Sequence, residues 1–262
     1  MILKKIFLLS IAALQLTAVW SQNPTEVKEK EELIGDISGN ALYVNVYRAE
    51  EKIIVKQLKS ELKNKNGDVK TRGKKLSAIE VVFPSISDST LTVKAEVQEV
   101  KELVYDLFVI FKYNDTILSS TNNTSGYNSA KAFLFDLANN LSKEASEKYF
   151  AKQEKEFASL EKKLKLLKKK LVKEEKAVVK AQKLIKKNQS VVEKIDRKDK
   201  LDEKAIKARA KSEKAILNGK EKVKDGEYNV EINKRDQKET LSAIKKQREL
   251  VNEAKKSLDV FK

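Results

Sequence analysis

The residues of this chain with the most concentrated chemical character are lysines. The stretch 161–187 holds 12 Lys against three Glu, and it contains neither Arg nor an aromatic residue. Lysine ammonium groups attract anions as point charges, and a run of them is typical of a surface that binds an acidic polymer. The run is equally typical of a solvated helix face that binds nothing, so both interpretations stay open. The predicted polyanion contacts are Lys162, Lys163, Lys165, Lys168, Lys169, Lys170, Lys173, Lys186 and Lys187.

The composition excludes several kinds of catalytic chemistry. The 262 residues include no Cys and no His, which rules out disulfides, thiol nucleophiles, histidine triads and Cys/His zinc sites. No phosphate-binding loop, nucleophile elbow or calcium loop occurs, and no spacing brings Asp106, Asp115 and Asp136 together. We therefore expect a protein that is not an enzyme and has no catalytic, cofactor-binding or metal-binding residues.

The first 21 residues are predicted to be a secretory signal peptide. A short cationic start that includes Lys4 and Lys5 precedes a largely apolar run from Ile6 to Val19. That run is too short to span a bilayer comfortably, and the small residues Val19 and Ser21 favour cleavage before Gln22. The alternative is an uncleaved N-terminal anchor. We expect a periplasmic or envelope-associated protein with no transmembrane segment after cleavage.

Residues 22–126 are predicted to form a small α+β head, whose last helix starts near residue 127. Apolar and polar residues alternate at 42–47 and at 91–98, as in strands with one solvated face, whereas 103–113 is apolar on both sides and reads as the central strand. Residues 49–63 show the spacing of an amphipathic helix. This order of elements predicts a two-layer domain with helices on one face of an antiparallel sheet.

The rear of the chain is predicted to be a long helical coiled coil. Apolar residues recur at alternating steps of three and four, which keeps them facing a partner helix. The predicted seam residues are Phe157, Leu160, Leu164, Leu167, Leu171, Val178, Ala181, Ile185, Val192 and Ile195. The predicted boundaries are a long helix at 127–217, a turn at 218–229 marked by Gly219 and Gly226, and a second helix at 230–262. These helices are predicted to form a hairpin within one chain, and a parallel dimer is the alternative.

The chain also resembles an uncharacterised family of exported Bacteroidota-type proteins. The segments that carry the resemblance are 40–46, 81–87, 127–141 and the Lys/Glu/Leu-rich run from Gln153. The resemblance implies a signal peptide, a small α+β domain and a C-terminal coiled coil, and it implies no activity and no functional residues.

The resulting functional expectation is a non-enzymatic cell-envelope scaffold or adaptor that binds proteins. Its coiled coil would join it to a protein partner or to a second copy, and its head would bind a partner. The alternative is an envelope protein that binds lipopolysaccharide or another acidic polymer through the lysine-rich helix face. Nucleic acid is a poor candidate, because the rear of the chain lacks aromatic stacking platforms and has little Arg.

Overall fold

In the computed structural model, residues 25–198 and 202–261 are described. They belong to two units: a head, within Met1–Phe150 and Ala254–Lys262, and an arm, Ala151–Glu253. The predicted signal peptide, residues 1–21, lies outside the described residues. Among the described residues, no helix is both long enough and apolar enough to cross a membrane.

The head contains an antiparallel sheet of seven strands. Its spatial order is β1-β2-β6-β5-β4-β3, and β7 pairs with β6. The prediction of an α+β head with β6 as a central strand is confirmed. The strands are β1 Val27–Ile34, β2 Ile37–Tyr47, β3 Asp68–Arg72, β4 Lys75–Val81, β5 Leu91–Lys101, β6 Val104–Tyr113 and β7 Thr116–Ile117. The helices are α1 Glu51–Asn64, α2 Thr124–Asp196 and α3 Glu203–Asp259.

One face of the sheet is covered by α1 and by the first turns of α2. Ile54, Leu58 and Leu62 recur every four residues on α1 and are fully buried. They share one core with alternate side chains of β2, β5 and β6 and with Leu134 and Leu141 of α2. This is the two-layer arrangement that the alternating strands predict.

Strand β1 corrects the expectation for the start of the head. The polar sequence of residues 24–32 predicts a loose lead-in with partial helix, yet residues 27–34 pair with β2 along their whole length. Only Val27 and Ile34 of this strand are buried. An edge strand with charged, solvated side chains carries little apolar alternation, so its pairing depends on the neighbouring strand rather than on its own sequence.

Helix α2 begins three residues before the predicted start. The Asn123 side chain caps it, because its Oδ1 accepts a hydrogen bond from the Gly126 amide at 2.9 Å. Gly126 lies inside the first turn, where a Cβ atom would come within 2.3 Å of the Ile86 carbonyl oxygen. The glycine thus lets the backbone at Ile86 approach the first turn of α2 closely, and it does not break the helix.

The predicted boundaries of the rear helices are wrong. Helix α2 ends at Asp196 and α3 starts at Glu203, so the segment 218–229 is helical and not a turn. Asp202 marks the true start, since its Oδ1 accepts a hydrogen bond from the Ala205 amide at 2.6 Å. Gly219 and Gly226 lie in the middle of α3, against α2.

Within the arm, residues of α2 and α3 contact each other in reverse order along the chain. Ile185 lies against Gly219, and Val178 lies against Gly226. Further along, Glu174 accepts a hydrogen bond from Asn233, and the Gln153 side chain accepts one from Gln247. As the residue number rises on α3, its partner on α2 falls.

Candidate functional site

Eight lysines of α2 form one line on the outer surface of the arm. Each falls between two residues of the predicted seam, at steps of three or four residues, so the line lies on the opposite side of the helix from the seam. All eight residues are exposed. We call this line the lysine ridge; it consists of Lys162, Lys165, Lys169, Lys173, Lys176, Lys180, Lys183 and Lys187. At ~1.5 Å per residue, the ridge extends over ~38 Å.

The predicted polyanion contacts coincide with this ridge in part. Five of the nine predicted lysines belong to it: Lys162, Lys165, Lys169, Lys173 and Lys187. The other four, Lys163, Lys168, Lys170 and Lys186, are exposed on the sides of the helix. Three ridge members, Lys176, Lys180 and Lys183, are not among the predicted contacts, because the prediction was based on the local density of lysines. Their spacing of three or four residues was the available signal.

Of the three carboxylates in this stretch, Glu174 lies on the seam side, whereas the exposed Glu161 and Glu175 flank the ridge. Glu174 occupies a seam position, where its Oε2 accepts a hydrogen bond from the Asn233 amide at 3.1 Å. Its Oε1 is 3.6 Å from the Lys170 ammonium. Among the described residues, no carboxylate forms an ion pair with a ridge lysine. The charge along the ridge is therefore of one sign.

The outer face of α3 provides an internal comparison. Residues seven apart on its exposed side alternate in character: Lys214, Glu221, Tyr228, Arg235, Ser242 and Glu249. Five consecutive outermost positions of α2 are lysines, Lys155, Lys162, Lys169, Lys176 and Lys183, and Ser190 follows them. A helix face that needs only solvation accepts charges of both signs, as α3 does. The uniform sign on α2 is a property of that helix alone.

The ten predicted seam residues are all buried or half-buried. One of the two seam lines of α3 is built from smaller or polar side chains at intervals of seven residues, whereas the other carries apolar residues such as Ile216, Val230 and Ile244. In the arm, the first line consists of Ala205, Ser212, Gly219, Gly226, Asn233, Thr240 and Gln247. Ile185 and Val178 of α2 lie against the two glycines of this line.

The basic stretch 63–75 of the head, a second place where anions could bind, is largely engaged in internal contacts. The Lys65 ammonium lies 3.8 Å from the centre of the Phe83 ring. Lys74 and Lys75 form ion pairs of 3.1 and 3.2 Å with the buried Glu96. These lysines stabilise the head, which leaves the ridge as the larger uncompensated positive surface.

Arg48 joins three elements of the head. Its guanidinium lies 4.3 Å from the centre of the Tyr149 ring and donates a hydrogen bond of 3.0 Å to Ser257 at the end of α3. The residue has a backbone φ of 61°, in the left-handed region that is unfavourable for most residues other than glycine. We interpret Arg48 as a structural clamp on the C-terminal turn, because its guanidinium contacts both Tyr149 of α2 and Ser257 of α3.

The sheet also carries one carboxyl group in an unusual environment. Burial raises the pKa of Asp106 above its ordinary value, although a hydrogen bond from the Asn45 side chain opposes the rise. Its neighbour Tyr47 also has a raised pKa, mainly because burial disfavours the phenolate. The described residues contain no cluster of three acidic side chains suited to a metal ion.

Two depressions lie on the described surface, one in each unit. One lies between α1 and α2 in the head and measures about 190 Å³; Gln57, Asp136 and Glu144 line part of it. The other, in the arm, measures about 700 Å³ and is lined by Val179, Tyr228 and neighbouring charged residues. In comparisons with known proteins, no family model and no curated protein matches the chain.

Proposed function

We propose that this protein is a non-enzymatic scaffold or adaptor of the cell envelope. Its arm would be an antiparallel coiled-coil hairpin formed within one chain, and its head would bind a protein or glycan partner. The observation that carries the proposal is the series of contacts between α2 and α3, which recur from Gln153 to Ile185 on one helix and from Gly219 to Gln247 on the other.

Close packing supports the hairpin over a dimer of two α2 helices. A Cβ atom at Gly219 would come within 2.6 Å of Ile185, and one at Gly226 within 2.5 Å of Val178. Ile185 and Val178, two large seam residues of α2, are therefore matched to positions of α3 that have no side chain. A second copy of α2 would offer large side chains at the same positions and could not approach as closely.

Buried polar contacts support a single register. Gln247 is buried, and its Nε2 donates to both the backbone oxygen and the Oε1 of Gln153, at 3.1 and 2.7 Å. A shift by one turn would leave these groups without partners, which costs about 1–3 kcal/mol for each unsatisfied group. Polar residues at seam positions commonly fix the register of a coiled coil in this way.

The envelope location is inferred from the composition of residues 1–21 alone. The scaffold role is inferred from the paired helices of the arm together with a chain that lacks His and Cys. Both statements are separable from the hairpin and need their own tests: secretion of a reporter fused after residue 21, and recovery of a cross-linked partner from the envelope fraction.

Paired cysteines test the hairpin directly, because the natural chain contains none. The double variant Glu174→Cys with Asn233→Cys should form a disulfide within one chain under mild oxidation, because the native side chains are in hydrogen-bond contact. The matched control, Glu174→Cys with Thr240→Cys, moves one cysteine by a heptad, or ~10 Å, and should not form it. Disulfide-linked dimers from the first pair, with no intramolecular product, would contradict the hairpin.

A second candidate function is the binding of an acidic polymer. The specific observation in its favour is the lysine ridge, whose eight charges have no carboxylate partner among the described residues. Binding of this kind weakens as salt rises, because released counterions contribute to the affinity. Retention on an anionic resin that does not respond to salt would contradict it.

A further inference from the structure

We propose that the lysine ridge binds a linear polyanion that lies along α2, and that the bound segment has the length of the ridge. This inference rests on the second candidate function and adds the shape and length of the ligand. The polymer is a chain of regularly repeated phosphate or carboxylate groups in extended form.

The geometry of the ridge favours an extended chain. The charges follow a single line, with neighbours separated by ~4.5–6 Å along the helix axis, over ~38 Å in total. A compact anion could touch only two or three of them at once. A polymer strand that runs parallel to the helix can pair with all eight and release a counterion at each contact.

The chemistry of the ridge favours recognition by charge alone. Between residues 161 and 187 there is no Arg for bidentate hydrogen bonds and no aromatic ring on which a base or sugar could stack. Lysine side chains are flexible point charges, so they adapt to the spacing of different polymers. The ligand is therefore defined by its charge density and its length.

The position of the apolar residues disfavours a membrane surface. Leu166 and Leu184 on one side of the outermost lysine line, and Val172 and Val179 on the other, are exposed large apolar residues. A helix that lies in a membrane interface has the opposite order, with apolar residues on the line that penetrates deepest and lysines at its edges. On α2 the lysines are outermost.

The expected salt dependence follows from the number of contacts. For a single-stranded polyanion, the logarithm of the binding constant falls with the logarithm of the salt concentration with a slope of about −0.7 per neutralised charge. Eight contacts give a slope of about −5.6, and four give about −2.8.

The experiment compares two variants of the full chain with the same loss of net charge. The ridge variant is K162Q/K169Q/K176Q/K183Q, which removes the four ridge lysines that occupy outermost positions of α2. The control is K204Q/K214Q/K234Q/K246Q, which removes four exposed lysines of α3. The probes are inorganic polyphosphate and polygalacturonate, each as fractions shorter and longer than ~38 Å, and binding is measured by titration calorimetry at several salt concentrations.

We expect affinity to increase with polymer length until the length reaches ~38 Å and then to rise only slowly. The ridge variant should lose ~10–100-fold in affinity with its salt slope reduced to about −2.8, whereas the control keeps a slope of about −5.6. Stronger binding of polyphosphate or of polygalacturonate identifies a phosphate or a carboxylate source, and either supports the proposal.

Three results would overturn the proposal. One is an equal loss of affinity in both variants, which would mean that only net charge matters. Another is affinity that does not depend on polymer length. The third is ridge-dependent binding to phosphatidylglycerol vesicles with no binding of either polymer, which would assign the ridge to a membrane. If the Glu174→Cys/Asn233→Cys disulfide still forms, any of these results leaves the scaffold proposal standing.

Discussion

Substitution of Gly226 by alanine is the change that most sharply distinguishes a packed helix pair from two independent helices. In an isolated helix, alanine is favoured over glycine by about 1 kcal/mol, because glycine loses more backbone entropy on folding. In the arm, the new Cβ atom would lie 2.5 Å from Cγ2 of Val178. That is ~1 Å closer than ordinary contact between carbon atoms.

The clash should outweigh the gain in helix propensity. Valine has one strongly preferred rotamer in a helix, so Val178 cannot rotate away without cost, and the strain must pass into the backbone. Overpacking of this size costs about 1–3 kcal/mol. We therefore expect Gly226→Ala to destabilise the pairing of α2 and α3 by about 1 kcal/mol net.

A double-mutant cycle with Val178→Ala tests this reasoning. When the valine is removed, Gly226→Ala should stabilise the arm by about 1 kcal/mol, which gives a coupling energy of about 2 kcal/mol. Hydrogen exchange of peptides that cover residues 170–186 and 219–233 reports the local opening free energy of each variant. A stabilisation of about 1 kcal/mol by Gly226→Ala in both backgrounds would refute the packing.

Three further predictions concern single sites. Because Arg48 has a φ of 61°, Arg48→Gly should be less destabilising than Arg48→Ala by about 1 kcal/mol in urea unfolding of the head. A larger loss of stability for Arg48→Gly than for Arg48→Ala would contradict the left-handed conformation. Asp106 has a raised pKa, so the folded head binds its proton more tightly than the unfolded chain, and the stability this gives is lost as pH rises through the folded pKa. Asp106→Asn should therefore stabilise the head increasingly from about pH 3 to pH 7, and a gain that does not change with pH would refute the assignment. Gln247→Leu should destabilise the arm by about 1–3 kcal/mol, whereas the double variant Gln153→Leu/Gln247→Leu should recover most of that loss. If hydrogen exchange shows the same loss of opening free energy in the single and the double variant, the two side chains do not interact.

The sequence predicted the elements whose stability depends on their own pattern. Strand β5 and helix α1 have strong apolar periodicity, β6 is apolar on both faces, and the ten predicted seam residues of α2 are all buried or half-buried. Strand β1 was missed because only its two end residues are buried. Its pairing partner, and not its own pattern, makes it a strand.

Glycine caused the main errors. Gly219 and Gly226 were interpreted as markers of a turn, but both lie in a helix where a Cβ atom would clash with a neighbour. A sequence does not show whether a glycine relieves backbone strain or steric crowding. The regular interval of seven residues between Gly219 and Gly226, which continues to Asn233, was the signal for crowding within a seam.

The sequence indicated the lysine-rich stretch but not which of its lysines share one face of the helix. Local density identified the lysine-rich stretch, yet it included residues on the sides of the helix and omitted three from the ridge. Residues on one helix face are separated by three or four positions, so a contiguous count mixes several faces. The absence of carboxylate partners depends on where Glu174 points, which required the structure.

A distance across the arm tests the central claim most directly. Ala158 and Lys245 are exposed, lie on the two different helices, and are replaced by spin-labelled cysteines in the full chain. If the helices pair antiparallel within one molecule, pulsed electron resonance should give one narrow short distance, set by an axis separation of ~8–10 Å plus the labels, and excess unlabelled protein should not change it. A distance that disappears on dilution with unlabelled chain, or labels separated towards the ~130 Å of a continuous helix, would contradict the account.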